Sequence, residues 1–263
     1  MGLYDVSHPI VRLSISLALA LLFAFTPLSS DAEWYAGGYG GYSAPNKLSA
    51  VQMPMLGERQ AQAQFPQSSP VNGDVLTSSL SSSDISLKSS AMFGGKAGYF
   101  FTDEGFSWLG VEVEAFTSKP TIKQQTVNTL LQATNSPLQP AVPGNEPQTI
   151  IQPGTLQLSE SSMRLITVAF NVVARYPGKV LQPYIGVGVG AFYFSSSGQV
   201  DGRQVVPGLN VSTGLKVLLT EEWGLFIEGK YNLATITNLD PTGFGLSGQY
   251  SALNAIAGLA YHF

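Results

Sequence analysis

Glu112 and Glu114 are the residues whose type and spacing come nearest to a reaction centre. Two carboxylates at i and i+2 on an extended strand share a face roughly 7 Å apart, a separation compatible with acid/base work on a glycosidic bond. Other chemistries lack their parts. The two histidines are His8 and His262; two are too few for a histidine metal site, and a Ser-His-Asp hydrolase needs its histidine beside the nucleophile and substrate. The absence of cysteine excludes disulfides, Cys-bound zinc and thiol nucleophiles. The glycine runs GVGVG (186–190) and GGYGG (37–41) lie inside strand-like sequence, without the helix N-terminus that a phosphate loop requires. Asn210-Val211-Ser212 matches a glycosylation sequon, but in a strand interior rather than a surface loop. A net charge of -4 and a pI of about 5.1 leave no basic footprint for nucleic acid. No cofactor and no metal are expected, and the chain reads as a non-enzyme.

The elements that carry these residues are unusual in composition. Only 11% of the 263 residues are Asp, Glu, Lys or Arg, against roughly 25% in a typical soluble domain, and mean hydropathy is +0.14. Yet after residue 30 no stretch approaches the roughly 18 consecutive apolar residues of a membrane-spanning helix. Both facts fit if apolar side chains occupy alternate positions of strands. In 110–116 Val111, Val113 and Ala115 oppose Glu112 and Glu114. In 225–233 Leu225, Ile227, Tyr231 and Leu233 oppose Glu228, Lys230 and Asn232. Leu209, Val211, Leu215 and Val217 oppose Asn210, Ser212 and Lys216, and Ile185, Val187 and Val189 oppose three glycines. This is the period of a half-buried strand.

Eight such runs are expected, at about 34–42, 85–101, 106–118, 161–176, 182–196, 205–219, 223–236 and 248–263. Short connections (102–105, 177–180, 220–222) alternate with longer ones. Short turns at one end and long loops at the other are the pattern of an up-and-down transmembrane barrel, and most of the runs reach the roughly 9 to 11 residues needed to cross hydrocarbon. In lipid every backbone group must be paired, so the sheet has to close. The fold class is therefore all-β, a closed eight-stranded antiparallel up-and-down transmembrane β-barrel. Its apolar face meets lipid, which turns Lys96, Glu112, Glu114, Arg175, Lys216, Glu228 and Lys230 into the lumen. Four cations against three anions predict a salt-bridge network, which is favoured over catalysis by the Glu112/Glu114 pair. A lipocalin-like soluble barrel would instead place the aliphatic face inside. Gly94, Gly98, Gly186, Gly188 and Gly190 make room there for larger neighbours such as Lys96 and Tyr184. Trp34, Tyr35, Tyr99, Phe101, Trp108, Tyr176, Trp223, Tyr231, Tyr261 and Phe263 are expected as interfacial girdles.

Two further features bound the chain. Residues 13–25, LSISLALALLFAF, follow Arg12 and precede small polar residues, the layout of a secretory signal peptide over 1–32 with cleavage between Ala32 and Glu33. The β-barrel domain then occupies 33–263. Two segments, about 43–83 and 119–159, are rich in Ser, Gln, Asn and Pro, with Pro45, Pro54, Pro66 and Pro70 in the first and Pro120, Pro137, Pro140, Pro143, Pro147 and Pro153 in the second. They are expected as long surface loops, with a helical turn or two around Val127 to Ala133.

The segments EWYAGGYGGYS, LQPYIGVGVGAFYF, GLKVLLTEEWGLFIEGKYNL and SALNAIAGLAYHF resemble the bacterial outer-membrane eight-stranded β-barrel family, which includes the OmpA membrane domain and the OmpX/Ail-like and Opa-like porin-family surface proteins. The resemblance implies the bacterial outer membrane as location and outer-membrane lipids and lipopolysaccharide as surroundings. It also implies that Leu259, Tyr261 and Phe263 form the C-terminal signal read by the outer-membrane assembly machinery. It is specific for architecture and not for activity. No peptidoglycan-binding domain is expected after the barrel, and lipid-modifying barrel enzymes need a histidine-containing catalytic set that this sequence does not supply. The expected function is a non-enzymatic barrel presenting large extracellular loops to a surface ligand. The alternative is a narrow porin-like channel for small solutes.

Overall fold

A computed structural model describes residues 33–66, 68, 73–102, 105–138 and 146–263. The expected leader, Ala32, Pro70, Pro140 and Pro143 lie outside the described residues. In chain order the elements are β1 (Glu33–Gln52), helix α1 (Pro54–Gln64), β2 (Val75–Ser82), β3 (Ile85–Lys88), β4 (Ser90–Phe101), β5 (Phe106–Ser118), β6 (Thr121–Ile122) and β7 (Gln125–Ser136). There follow β8 (Gln148–Leu158), β9 (Ser161–Arg175), β10 (Leu181–Ser197), β11 (Gly202–Leu218), β12 (Trp223–Ile236) and β13 (Ser247–His262).

Eight of these strands make the barrel. β1, β4, β5, β9, β10, β11, β12 and β13 pair antiparallel in that order, and β13 returns to β1, from Tyr35 opposite His262 to Gln52 opposite Ser247. The runs expected at 106–118 and 223–236 coincide with β5 and β12. Along β9 the parity is strict: Arg164, Val168, Phe170 and Val172 are exposed, while Leu165, Thr167, Ala169, Asn171 and Val173 are buried. Ile185, Val187 and Val189 on β10 and Leu225 and Ile227 on β12 continue an exposed apolar band that water would not tolerate at this extent but lipid does. At the short-turn rim the band ends in rings: Trp34 on Tyr99 and Trp223 on Tyr261, each pair with centroids 5.0 Å apart, beside Trp108, Tyr176 and Phe263. Tyr35 departs from the expected girdle. Its parity is opposite to that of Trp34, and it is buried inside the barrel.

The two proline-bearing segments are corrected by the structure. They are not structureless loops. β1 continues past Ser43 to Gln52, and from its far end the same sheet extends as an arm in the order β1-β2-β7-β8, while the short β3 and β6 bridge β1 to β9. The prolines sit where a ladder loses little by them. Pro45 borders the irregular register between Pro45 and Lys47, Pro54 opens α1 in its first turn, and Pro153 lies on β8, which pairs with no further strand among the described residues. Val127 to Ala133 is strand rather than helix, because Val127, Leu131 and Ala133 fall on one buried parity. The helix is α1 instead. It packs Gly57 and Ala61 against the sheet so closely that a Cβ on Gly57 would lie 2.9 Å from the Leu80 Cβ. Residues 237–246 fold over it, held by Arg59 to the carbonyls of Thr242 and Gly243 and by the Asp240 carboxylate accepting from the Gly243 and Phe244 N–H groups. Leu48, Val51, Met53, Leu80, Ile85, Leu131, Phe194, Leu239 and Tyr250 make this upper core, which caps the barrel.

Candidate functional site: the charged lumen

All seven charged residues on inward parity, Lys96, Glu112, Glu114, Arg175, Lys216, Glu228 and Lys230, are buried in the lumen. They form two groups at different depths. In the middle, side chains from five strands close a ring of contacts. Lys96 donates to Glu228 at 2.6 Å and lies 3.3 Å from Glu112. Lys230 pairs with Glu114 and lies 3.2 Å from Glu228. Asn210 donates to Glu114 at 3.2 Å and to the Asn171 side-chain Oδ1 at 2.9 Å, and Asn171 donates through Nδ2 to Glu112 at 3.1 Å, which returns to the start. Each carboxylate also accepts a tyrosine hydroxyl: Tyr35 on Glu112 at 2.6 Å, Tyr184 on Glu228 at 2.7 Å, and Tyr39 on Glu114.

Local backbone explains how three tyrosines fit into so narrow a lumen. Each ring lies over a glycine of the neighbouring strand: Tyr39 over Gly94, Tyr35 over Gly98 and Tyr184 over Gly214. A Cβ at these glycines would stand 2.5 to 2.6 Å from the ring carbons. The glycines are therefore the spaces into which the rings pack.

Nearer the short-turn rim lies the second group. Both terminal nitrogens of Arg175 engage Glu33, its Nε donates to the Ser107 carbonyl at 3.0 Å, and its guanidinium stands 3.7 Å from the Phe100 ring centroid. His262 Nδ1 is 2.8 Å from Glu33, and its Nε2 is 3.3 Å from Lys216 Nζ. With the proton on Nδ1, Nε2 accepts from the ammonium, so a neutral imidazole satisfies both neighbours. Lys216 has no carboxylate partner among the described residues and stands over the Tyr35 ring at 4.3 Å.

Glu33, expected only as the residue after the cleavage point, is thus the fourth lumenal anion and matches the four cations. Its period-two position relative to Tyr35 could have shown this. Tyr35 and Tyr39 could have been placed by the same parity. Tyr184 and Asn210 stand on the parity already assigned inward.

The cavity bounded by Tyr35, Lys96, Glu112, Arg175 and Lys216 measures about 10 Å³, space for a single water. Glu112 and Glu114 are occupied on every side by Lys, Asn and Tyr groups. No cluster of metal-ligating residues is present among the described residues. Leu259, Tyr261 and Phe263 face outward, and the Phe263 N–H donates to the Trp34 carbonyl at 3.0 Å, so this end of β13 forms the closing seam.

A closed antiparallel barrel with an apolar exterior and a charge-filled lumen defines the class as an integral outer-membrane barrel. The chain belongs to the outer membrane protein beta-barrel domain family, whose model matches residues 15–263. Its fold is similar to that of neisserial surface protein A, at 14% identity over 89% of this chain and 100% of that one, with a TM-score of 0.46. It is also similar to OprG of Pseudomonas aeruginosa, at 15% identity over 88% and 96% with a TM-score of 0.42. For Ail of Yersinia pestis in complex with a heparin analogue, identity is 10% over 88% and 99%, and the TM-score is 0.40. No curated protein matches the sequence.

Proposed function

We propose that this protein is a non-enzymatic anchor that holds a folded β arm above the outer membrane for contact with a surface ligand. The observation that carries the reading is the continuation of β1 into the sheet β1-β2-β7-β8 while the lumen beneath is filled. β8 is the last strand of that sheet, and its outer edge is unpaired among the described residues, the geometry that accepts an added strand. Between α1 and β7–β8 lies a recess of about 210 Å³ lined by Gln60, Gln64, Thr129, Gln152 and Thr155, which offers amides and hydroxyls but no charge. The same reading includes export by the leader, with a mature chain starting at Glu33, and Leu259, Tyr261 and Phe263 as the strand that the assembly machinery engages.

The test is adhesion. Proteoliposomes carrying the full chain are applied to an epithelial monolayer and to each other, beside a variant in which 125–158 is replaced by a short turn. The reading expects binding that falls at least tenfold in the variant while its heat-modifiable gel mobility persists. Equal binding by both forms overturns it. The channel alternative is addressed by planar-bilayer recording, where the filled lumen supports no stable steps; steps altered by Lys96→Ala would favour a channel.

A further inference from the structure

The lumen and the arm leave one charged surface unaccounted for, on the outside of the barrel. On β10, Ser195 pairs with Arg164 of β9 on one side and with Arg203 of β11 on the other. All three residues point outward, and both arginines are exposed. Two strand spacings put the arginine Cα atoms roughly 10 Å apart. Lys119 is exposed one residue beyond the Ser118–Leu165 pair, which places it beside Arg164 on the opposite flank. None of these three cations has an ion pair among the described residues. Of the other exposed lysines at this end of the barrel, Lys47 is paired with Asp84 and Lys88 with Glu160, while Lys123 has no ion pair among the described residues. Asp201 lies two residues before Arg203, and the buried Asp240, beside Gly202, spends its carboxylate on the Gly243 and Phe244 N–H groups.

Directly below, the same three strands carry an apolar surface in register. Ile166, Tyr193 and Val205 form the first row. Val168, Ala191 and Pro207 follow, then Phe170, Val189 and Leu209, then Val172, Val187 and Val211. From Tyr176, at the short-turn rim, to Arg164 is twelve residues. At roughly 3.3 Å per residue and a tilt of about 40°, that is about 30 Å of height, so the arginines stand at the upper edge of the hydrocarbon. A cation cluster above a column for acyl chains has the shape of an amphiphile with an anionic head.

We infer that Arg164, Ser195 and Arg203, flanked by Lys119, form a binding site for the phosphorylated headgroup of an outer-leaflet glycolipid whose acyl chains lie along β9–β11. Arginine suits phosphate because its planar donors engage two oxygens at once, and Ser195 supplies a hydroxyl between them. The site is independent of what the arm binds.

The full chain, folded in detergent, is titrated with bisphosphorylated lipid A, with dephosphorylated lipid A and with inorganic phosphate, and binding is read by native mass spectrometry and by the midpoint of thermal unfolding. Bisphosphorylated lipid A is expected to bind and raise the midpoint, whereas the dephosphorylated lipid and free phosphate do neither. Arg164→Gln with Arg203→Gln should weaken binding about thirtyfold. Arg164→Lys with Arg203→Lys should keep most of it, and Lys47→Gln should change nothing. Equal binding of phosphorylated and dephosphorylated lipid by the unmodified protein overturns the inference. So does unchanged affinity in the double glutamine variant, or binding of inorganic phosphate as tight as that of the lipid.

Discussion

Lys230 and Glu114 form the most deeply buried ion pair of the lumen, with side chains 1% and 0% exposed. Removing one member leaves the other charge without compensation, so Glu114→Ala is expected to cost about 3–5 kcal/mol, measured by urea unfolding of the folded barrel in detergent. Replacing both, as Glu114→Leu with Lys230→Met, removes charge and countercharge together and should cost less than the single change. A single variant milder than the double would refute this account of the ring. The tyrosine–glycine contacts give a second expectation. Gly94→Ala places a methyl against the Tyr39 ring and should destabilise by about 1–3 kcal/mol, whereas Gly38, facing outward with nothing within 4 Å, should tolerate alanine within about 0.5 kcal/mol. Unfolding midpoints of the two variants, compared side by side, decide the matter.

Strands explain why some of this was legible in sequence and some was not. In β5 and β12 a period-two pattern runs unbroken from end to end, because one face must be apolar for lipid while the other carries the charges of the ring. Their bounds could be read directly. The arm has no lipid face. Its strands bury one side against α1 and the upper core and leave the other to water, so Ser, Thr and Gln fill the exposed positions and the apolar signal thins to residues such as Leu80, Val127 and Leu131. Prolines at an edge, a register irregularity and a helix start then resemble loop punctuation. Glu33 and Tyr35 were obscured for another reason: they stand at the start of β1 and at the barrel rim, where a cleavage site and an aromatic girdle are equally natural expectations. At this scale the arm should open independently of the barrel. Leu131→Asp places a charge in its core and should make 53–82 and 125–158 sensitive to added protease while residues 161–262 stay protected, as mass mapping of the fragments would show.

For the whole molecule, the apolar exterior, the filled lumen and the folded cap are parts of one division of labour. The carboxylates of the central ring are paired with its lysines, and the cap's apolar core lies above it. The barrel should therefore remain non-conducting even when the arm is removed, because the ring of Lys96, Glu112, Glu114, Glu228 and Lys230 lies in the barrel itself. Stable conductance in the form lacking 125–158 would show instead that the cap is the seal.

The seam between β1 and β13 sets the order in which such a structure can come into being. Every other barrel junction joins strands near in sequence or separated by one excursion, and these hairpins close early at small entropic cost. The junction that pairs Tyr35 with His262 spans more than two hundred residues and is the longest-range contact of the sheet. Arg175, at the end of β9, reaches Glu33 at the start of β1, and Glu33 in turn holds His262 at the end of β13. A ribbon of paired hairpins would thus accumulate first, with closure as the slow final event, and the three-way contact at Glu33 forms only when the ring has shut.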